Sequence, residues 1–389
     1  MEKINLKSKN HFPNLKYSKT IIKNCEIYNK YDYIAVESFD IFKIENNEKK
    51  EKFSGYYLST SNSETKNIDI YKIYSKDNIE KIYSLEVKYS DIYTLKYFYD
   101  SYHNAHYLTA LINEKTNILI WKIKNEKEYE LITNYRDVIE QGGCSMSMRP
   151  IRFSFYMLLF EKEQPSLLFA YNVQKFCTRK VTYFEKYDFV NNKKLDKLST
   201  TSYCFRNKFE GYSINLDKKN YFGILKEGNF ILYEIFASDL INSLKKNSNL
   251  LQFELSKYNN AIKNIVIIKE NDEDKYLYYN EYYEENDNKI GKNFIGKIDL
   301  KNREKLFKAQ IKIDELFSMT IWNKNYLLLL EKLSENIYIF NLKTFRIEGK
   351  LINHDDNIYN GKKLIINDNE ELLFISELNG VINLWINES

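Results

Sequence analysis

Short runs in which apolar and polar residues alternate recur along the chain, each set off from the next by a polar stretch. Alternation with a period of two buries one face of a strand. Seven of these runs share one form: residues 67–73, 117–123, 181–189, 229–235, 293–298, 336–342 and 381–385. Each follows a second apolar run, at 56–59, 106–112, 167–171, 221–225, 276–279, 326–330 and 372–376. All but the last precede an outer run such as 81–87 or 128–132. The spacing, roughly 40 to 65 residues, predicts seven repeats of a four-stranded sheet, with the seven shared runs as the third strand, c, of each. The last c run has no outer strand after it, while residues 20–28 carry the pattern of 79–87. The N-terminal run is therefore assigned to the last sheet, where it would close the series and leave no open edge. Residues 238–246 break the rhythm, with Ser238 at the N-cap and Leu240, Ile241 and Leu244 on one face, and predict a short helix between strands c and d of the fourth repeat.

Residues 349–387 carry the fullest copy of the repeat. His354 and Asp356 lie in its opening loop, Asn379-Gly380 makes a tight turn, and Leu384-Trp385 ends its last strand. This resembles one WD40 repeat: His354 stands in place of the family's Gly-His, Asn379-Gly380 in place of Asp-Gly, and Leu384-Trp385 in place of the hydrophobic-Trp of Trp-Asp. The departures are residues 350–353 in place of Gly before the histidine, Asn at 379 and Ile at 386. The resemblance implies an all-β, seven-bladed WD40-like β-propeller closed by an N-terminal strand. It implies a bonding role within the blade for His354, with Asn379 near it, and core positions for Trp121 and Trp385. The expected layout is an arm at 1–16 and a single propeller over 17–389. Its parts are 17–28 (outer strand of blade seven), 31–87, 88–135, 144–200, 201–256, 261–313, 314–352 and 353–387, the last seven being blades one to seven in order.

Composition narrows the function classes. Hydrophobic content of 43% supports a substantial core, aromatic content of 16% favours strands, and a net charge of +4 over 389 residues argues against a dedicated nucleic-acid protein. Three prolines and eleven glycines leave no linker-like stretch. No run approaches the length of a membrane span, the first residues lack an apolar leader core, and Cys25, Cys144, Cys177 and Cys204 form no paired framework. The expectation is a cytoplasmic or nuclear protein.

Catalytic signals are sparse. His103-x-x-His106 offers two candidate metal ligands without a third, Gln141-Gly142-Gly143-Cys144 exposes backbone N–H groups beside a thiol without a basic partner, and no phosphate loop, nucleophile elbow or HExxH pair occurs. No catalytic residue, metal or cofactor is expected. Charge is more informative. Residues 144–210 hold twelve Lys and Arg against six Asp and Glu, and residues 269–287 hold eight acids against two lysines, which predicts a dipolar molecule. In a four-stranded meander the b–c and d–a connections share one end. Arg149, Arg179, Lys180 and Arg206 should gather there with Phe176, Tyr203 and Phe205 as a basic, aromatic rim. These residues form the candidate binding site of a non-catalytic scaffold or complex subunit whose protein partner is acidic or phosphorylated. The alternatives are nucleic-acid or anionic-membrane binding by the same rim, without the family's phosphoinositide-binding Phe/Leu-Arg-Arg-Gly motif, and an enzyme using a central channel.

Overall fold

The computed structural model describes residues 15–22, 39–44, 54–62, 65–87, 92–112, 116–136, 138–141, 147–150, 153–160, 164–175, 179–200, 211–216, 219–226, 229–234, 250–256, 262–269, 275–284, 291–313, 316–323, 325–331, 334, 336–351, 358–366, 370–377 and 381–387. Among them all regular structure is strand. No described helix is long and apolar enough to cross a membrane. The expected helix at 238–246 lies outside the described residues.

The strands, in chain order, are β1 (Leu15–Ile22), β2 (Phe39–Ile44), β3 (Gly55–Ser61), β4 (Ile68–Ile73), β5 (Ile79–Leu85), β6 (Ile92–Asp100), β7 (Ala105–Ile112), β8 (Asn117–Asn125), β9 (Glu128–Arg136), β10 (Val138–Gln141), β11 (Ser147–Pro150), β12 (Phe153–Leu159), β13 (Ser166–Lys175), β14 (Arg179–Asp188) and β15 (Lys193–Thr200). They continue as β16 (Gly211–Leu216), β17 (Lys219–Lys226), β18 (Asn229–Glu234), β19 (Leu250–Glu254), β20 (Ile262–Lys269), β21 (Lys275–Glu284), β22 (Gly291–Asp299), β23 (Glu304–Ile311), β24 (Leu316–Asn323), β25 (Tyr326–Glu331), β26 (Ile337–Asn341), β27 (Arg346–Leu351), β28 (Ile358–Ile366), β29 (Glu370–Glu377) and β30 (Ile382–Asn387). Seven antiparallel sheets of four strands result: β2–β5, β6–β9, β12–β15, β16–β19, β20–β23, β24–β27, and β28–β30 with β1 as outer strand. The third strands are β4, β8, β14, β18, β22, β26 and β30, the positions that the shared alternating run marks in the sequence.

The chain divides into two compact units. One holds residues 28–72 and 80–260 and contains the first four sheets; the other holds 1–27, 73–79 and 261–389 and contains the last three. In the first unit β2 and β6 bring two sheets together over Phe42, Ile70, Leu95, Leu108, Ala110 and Trp121. In the second unit Trp322, Leu328, Ile339, Leu373, Ile375 and Trp385 join the sixth sheet to the seventh. Trp121 and Trp385 are both buried. Strands enclosed by neighbours on both faces read as continuous apolar runs, and all eight residues of β7 are buried. Outer strands such as β5 bury only part of their length and keep polar alternation.

Carboxylates buried in three of the sheets are held by a lysine of the outer strand. Asp69 of β4 meets Lys81 Nζ at 2.7 Å and accepts bonds from Ser84 Oγ and Asn62 Nδ2. Glu185 of β14 meets Lys197 Nζ at 2.5 Å and accepts the Tyr171 hydroxyl. Glu281 of β21 pairs with Lys308. Each arrangement ties the outer strand to the core and compensates a charge that would otherwise be costly to bury.

One turn recurs at Asp100–Asn104, Asp188–Asn192, Asp299–Arg303 and Asn341–Phe345. The side chain of its first residue accepts the backbone N–H groups of its third and fourth, and its fifth is left-handed, with φ of 44°, 56°, 61° and 56°. Asx side chains form such turns by imitating backbone acceptors.

The N-terminal strand departs in its bounds from the expected 17–28. β1 begins at Leu15, inside the stretch read as an arm, and pairs antiparallel with β30 from Leu15 opposite Asn387 to Ile22 opposite Ile382, with two register shifts. Residues 23–28 lie outside the described set. Thr20 Oγ1 donates to Asn383 Oδ1 at 2.8 Å across this pair. Alternation marks a strand's interior, whereas its first residue is set by the partner's length.

Candidate functional site

The expected rim is built on the third sheet. β13 pairs with β12 only as far as Tyr171, opposite Phe153. Beyond that point β13 and β14 continue as a ribbon, with Asn172 opposite Thr182, Val173 opposite Val181, Gln174 opposite Lys180, and Lys175 opposite Arg179. β15 joins β14 only from Thr182 onward, through Thr200. Among the described residues Arg179, Lys180 and Lys175 thus stand at the end of a two-stranded ribbon, and residues 172–182 contain no acid.

A second hairpin stands next to it. β10 and β11 form a separate two-stranded sheet between the second and third repeats, with Ile139 opposite Arg149, and β10 packs beside β13. The sequence marked this segment only as a connecting loop. Its four-residue strands lack the alternating run that identified the others. The fold therefore sets the hairpin that carries Arg149 beside the sheet that carries Arg179 and Lys180. Phe176, Tyr203, Phe205 and Arg206 lie outside the described residues, as do His354 and Asn379.

The structure redistributes the remaining charge. Lys194 and Lys197 belong to the outer strand and face Glu185, at 3.7 and 2.5 Å, so they do not contribute to the rim. Lys197 also lies over the rings of Tyr183 and Tyr171. The acidic run 269–287 is divided by topology. The strand β21 runs through it, and Glu281 of that strand is buried.

The two histidines singled out as candidate ligands have separate partners. His103 Nδ1 donates to Asp100 Oδ2 at 2.7 Å, completing the recurrent turn, and His106 Nδ1 shares a hydrogen bond of 2.6 Å with the Tyr97 hydroxyl. Among the described residues no group of three His, Cys, Asp or Glu side chains is placed to hold a metal. Asp188, equivalent to Asp100 in its own turn, illustrates the electrostatics: burial would raise its carboxyl, but bonds from Asn191, Val190 and Gln164 outweigh it and hold it below the ordinary value.

The sequence reading also missed what the asparagine that opens several c runs does. Asn117 donates to Asn134 of β9, Asn229 accepts from Gln252 of β19, and Asn293 donates to the Ile313 carbonyl beyond β23. Its recurrence at the head of five of the seven runs was the available signal.

No family model matches the sequence, and no curated protein matches it. Solved structures do match in shape. The WD40 β-propeller domain of Doa1 superposes with a TM-score of 0.52 at 8% identity, over 97% of this chain and 99% of that one. BBS1N, solved in complex with ARL6DN, superposes with a TM-score of 0.54 at 6% identity, over 94% and 97%. The fold is a seven-bladed β-propeller. Each four-stranded sheet is thus a blade, and the candidate rim belongs to the b–c and d–a end of blade three.

Proposed function

We propose that this propeller is a non-catalytic interaction scaffold that takes an acidic or phosphorylated protein segment on the basic end of blade three. The observation that supports the reading is the packing of β10 beside β13, which sets the hairpin carrying Arg149 next to the blade whose β13–β14 ribbon carries Arg179 and Lys180. Arginine binds carboxylate and phosphate oxygens through paired N–H groups, and rigid strands hold such a cluster at little entropic cost. Tyr203, Phe205 and Arg206 follow β15 in the sequence and would add aromatic and cationic contacts. The WD40 domains that share this fold support a protein partner in general terms, and the complex of BBS1N with ARL6DN is an instance for that protein.

The test compares the full-length protein with a variant in which Arg149, Arg179, Lys180 and Arg206 are alanine, both first shown to be folded by circular dichroism. Affinity capture at low and high salt should recover a defined protein set that the variant loses. Identical sets would refute the basic end as the docking site. Recovery dominated by RNA or anionic lipid, with a steep loss at high salt, would replace the reading with nucleic-acid or membrane binding.

A further inference from the structure

The c–d turns of blades five and six, both in the unit formed by the C-terminal half, carry a basic and apolar surface that the sequence reading left aside. In blade five Lys301, Arg303 and Lys305 are exposed, and in blade six Lys343 and Arg346 are exposed. The acids nearby are mostly engaged. Asp299 accepts the N–H groups of Lys301 and Asn302 and the Asn302 amide, while Glu348 accepts from Asn341 and Thr344. Glu304 is exposed without such a partner among the described residues.

Two apolar side chains stand among these cations. Leu306, 46% exposed, is the extra residue of a bulge in β23, where Lys297 opposes Phe307 and Ile298 opposes Lys305. Bulges re-aim side chains at the point where they interrupt a ladder. Phe345, 38% exposed, occupies the left-handed position of its turn at φ 56°. A bulky residue is unfavourable in that conformation, and glycine would fill it without strain. Here the aromatic ring packs on Phe307 with centroids 4.0 Å apart, which joins the two turns into one surface.

We infer that these paired turns are a second docking surface, for an acidic protein segment carrying an apolar anchor. The five cations outnumber the three carboxylates of the two turns, Asp299, Glu304 and Glu348, which favours a negatively charged partner, and the exposed Phe345 and Leu306 supply the apolar contact that gives such an encounter lifetime. An acidic segment is favoured over a bilayer because two apolar side chains are too few to anchor in lipid. The surface shares no residue with the end of blade three and stands or falls separately from it.

The test measures fluorescence anisotropy of a labelled glutamate-rich peptide with a central Leu-Phe pair, added to the full-length protein. The controls are the same peptide with serines at the pair and vesicles of phosphatidylcholine with phosphatidylserine. The Leu-Phe peptide should bind in a salt-sensitive manner and outcompete the serine control. Phe345→Gly, and separately the pair Arg303→Glu and Arg346→Glu, should each weaken it roughly tenfold, as loss of a central aromatic or of the attracting charge does. Phe345→Gly relieves the left-handed strain while losing the ring contact with Phe307, so its melting temperature should stay close to the parent's, and binding lost at that melting temperature is not lost folding. Alanine at Arg149, Arg179 and Lys180 should leave this binding unchanged. Absence of peptide binding, equal binding by parent and variants, or binding to the vesicles alone would each overturn the inference.

Discussion

Arg303 and Asn192 occupy equivalent positions in the recurrent turn, at φ 61° and 56°, but the conformation does not cost them the same. Asparagine tolerates the left-handed region, whereas arginine has no local hydrogen bond to offset the clash of its Cβ with the following carbonyl. Arg303→Gly is expected to stabilise the protein by about 1 kcal/mol, read from the midpoint of urea unfolding, and Asn192→Gly to change it by much less. Equal effects would mean that something other than the backbone decides the two sites. The turn itself was legible: Asp188-Phe-Val-Asn, Asp299-Leu-Lys-Asn and Asn341-Leu-Lys-Thr repeat one spacing in the sequence. Reading His103 as a candidate metal ligand overlooked that it fills the fourth place of the same turn after Asp100, where its ring bonds the carboxylate that Asn191 and Asn302 bond in theirs.

Strands were legible wherever one face is buried, because the alternation is imposed by that burial. The c strands stood out because their neighbours on both sides fix their register. What stayed hidden was pairing that needs no apolar face: the short β10–β11 hairpin, and the overhang of β13 and β14 past the end of β12. Charge runs misled for a related reason. A meander sends consecutive loops to opposite ends and lets a strand bury a charge midway, as Glu185 and Glu281 are buried. Lys197 belongs to such a burial and not to a binding surface. Its ammonium lies over the ring of Tyr183, with Nζ 4.5 Å from the centroid, and meets Glu185. Lys197→Met keeps the stem but leaves the carboxylate without its nearest cation, and should cost about 2 to 4 kcal/mol in urea unfolding, less than the extreme for buried pairs because Tyr171 still donates to Glu185. A neutral result would show that Lys194, 3.7 Å from the same carboxylate, suffices alone.

At the scale of the whole molecule the N-terminal strand matters more than its position in the chain implies. β1 supplies the outer edge of the sheet that contains β30, the strand carrying Trp385. Deleting residues 15–22 should lower the melting temperature by several degrees, since it uncovers the β30 edge and removes the Thr20–Asn383 bond. An unchanged melting temperature would count against β1 as a stabilising part of that sheet. High pH probes each of the two units, through Tyr107 in one and Tyr279 in the other among the tyrosines held above their ordinary value. Burial, with a smaller contribution from Asp100, raises the Tyr107 hydroxyl from 10.0 to about 12, and burial with a contribution from Glu281 raises Tyr279 to about 12. In both, the folded state holds its proton after the unfolded state has released it. The unfolded chain therefore binds fewer protons between pH 10 and about 12, and stability falls with rising pH through that window, being fully present below it. Phenylalanine cannot ionise in either state. Tyr107→Phe and Tyr279→Phe should each flatten the alkaline fall of the urea midpoint, and together they should flatten it further, while leaving the midpoint at neutral pH nearly where it was. A fall as steep in the double variant as in the parent would place the alkaline sensitivity in other groups.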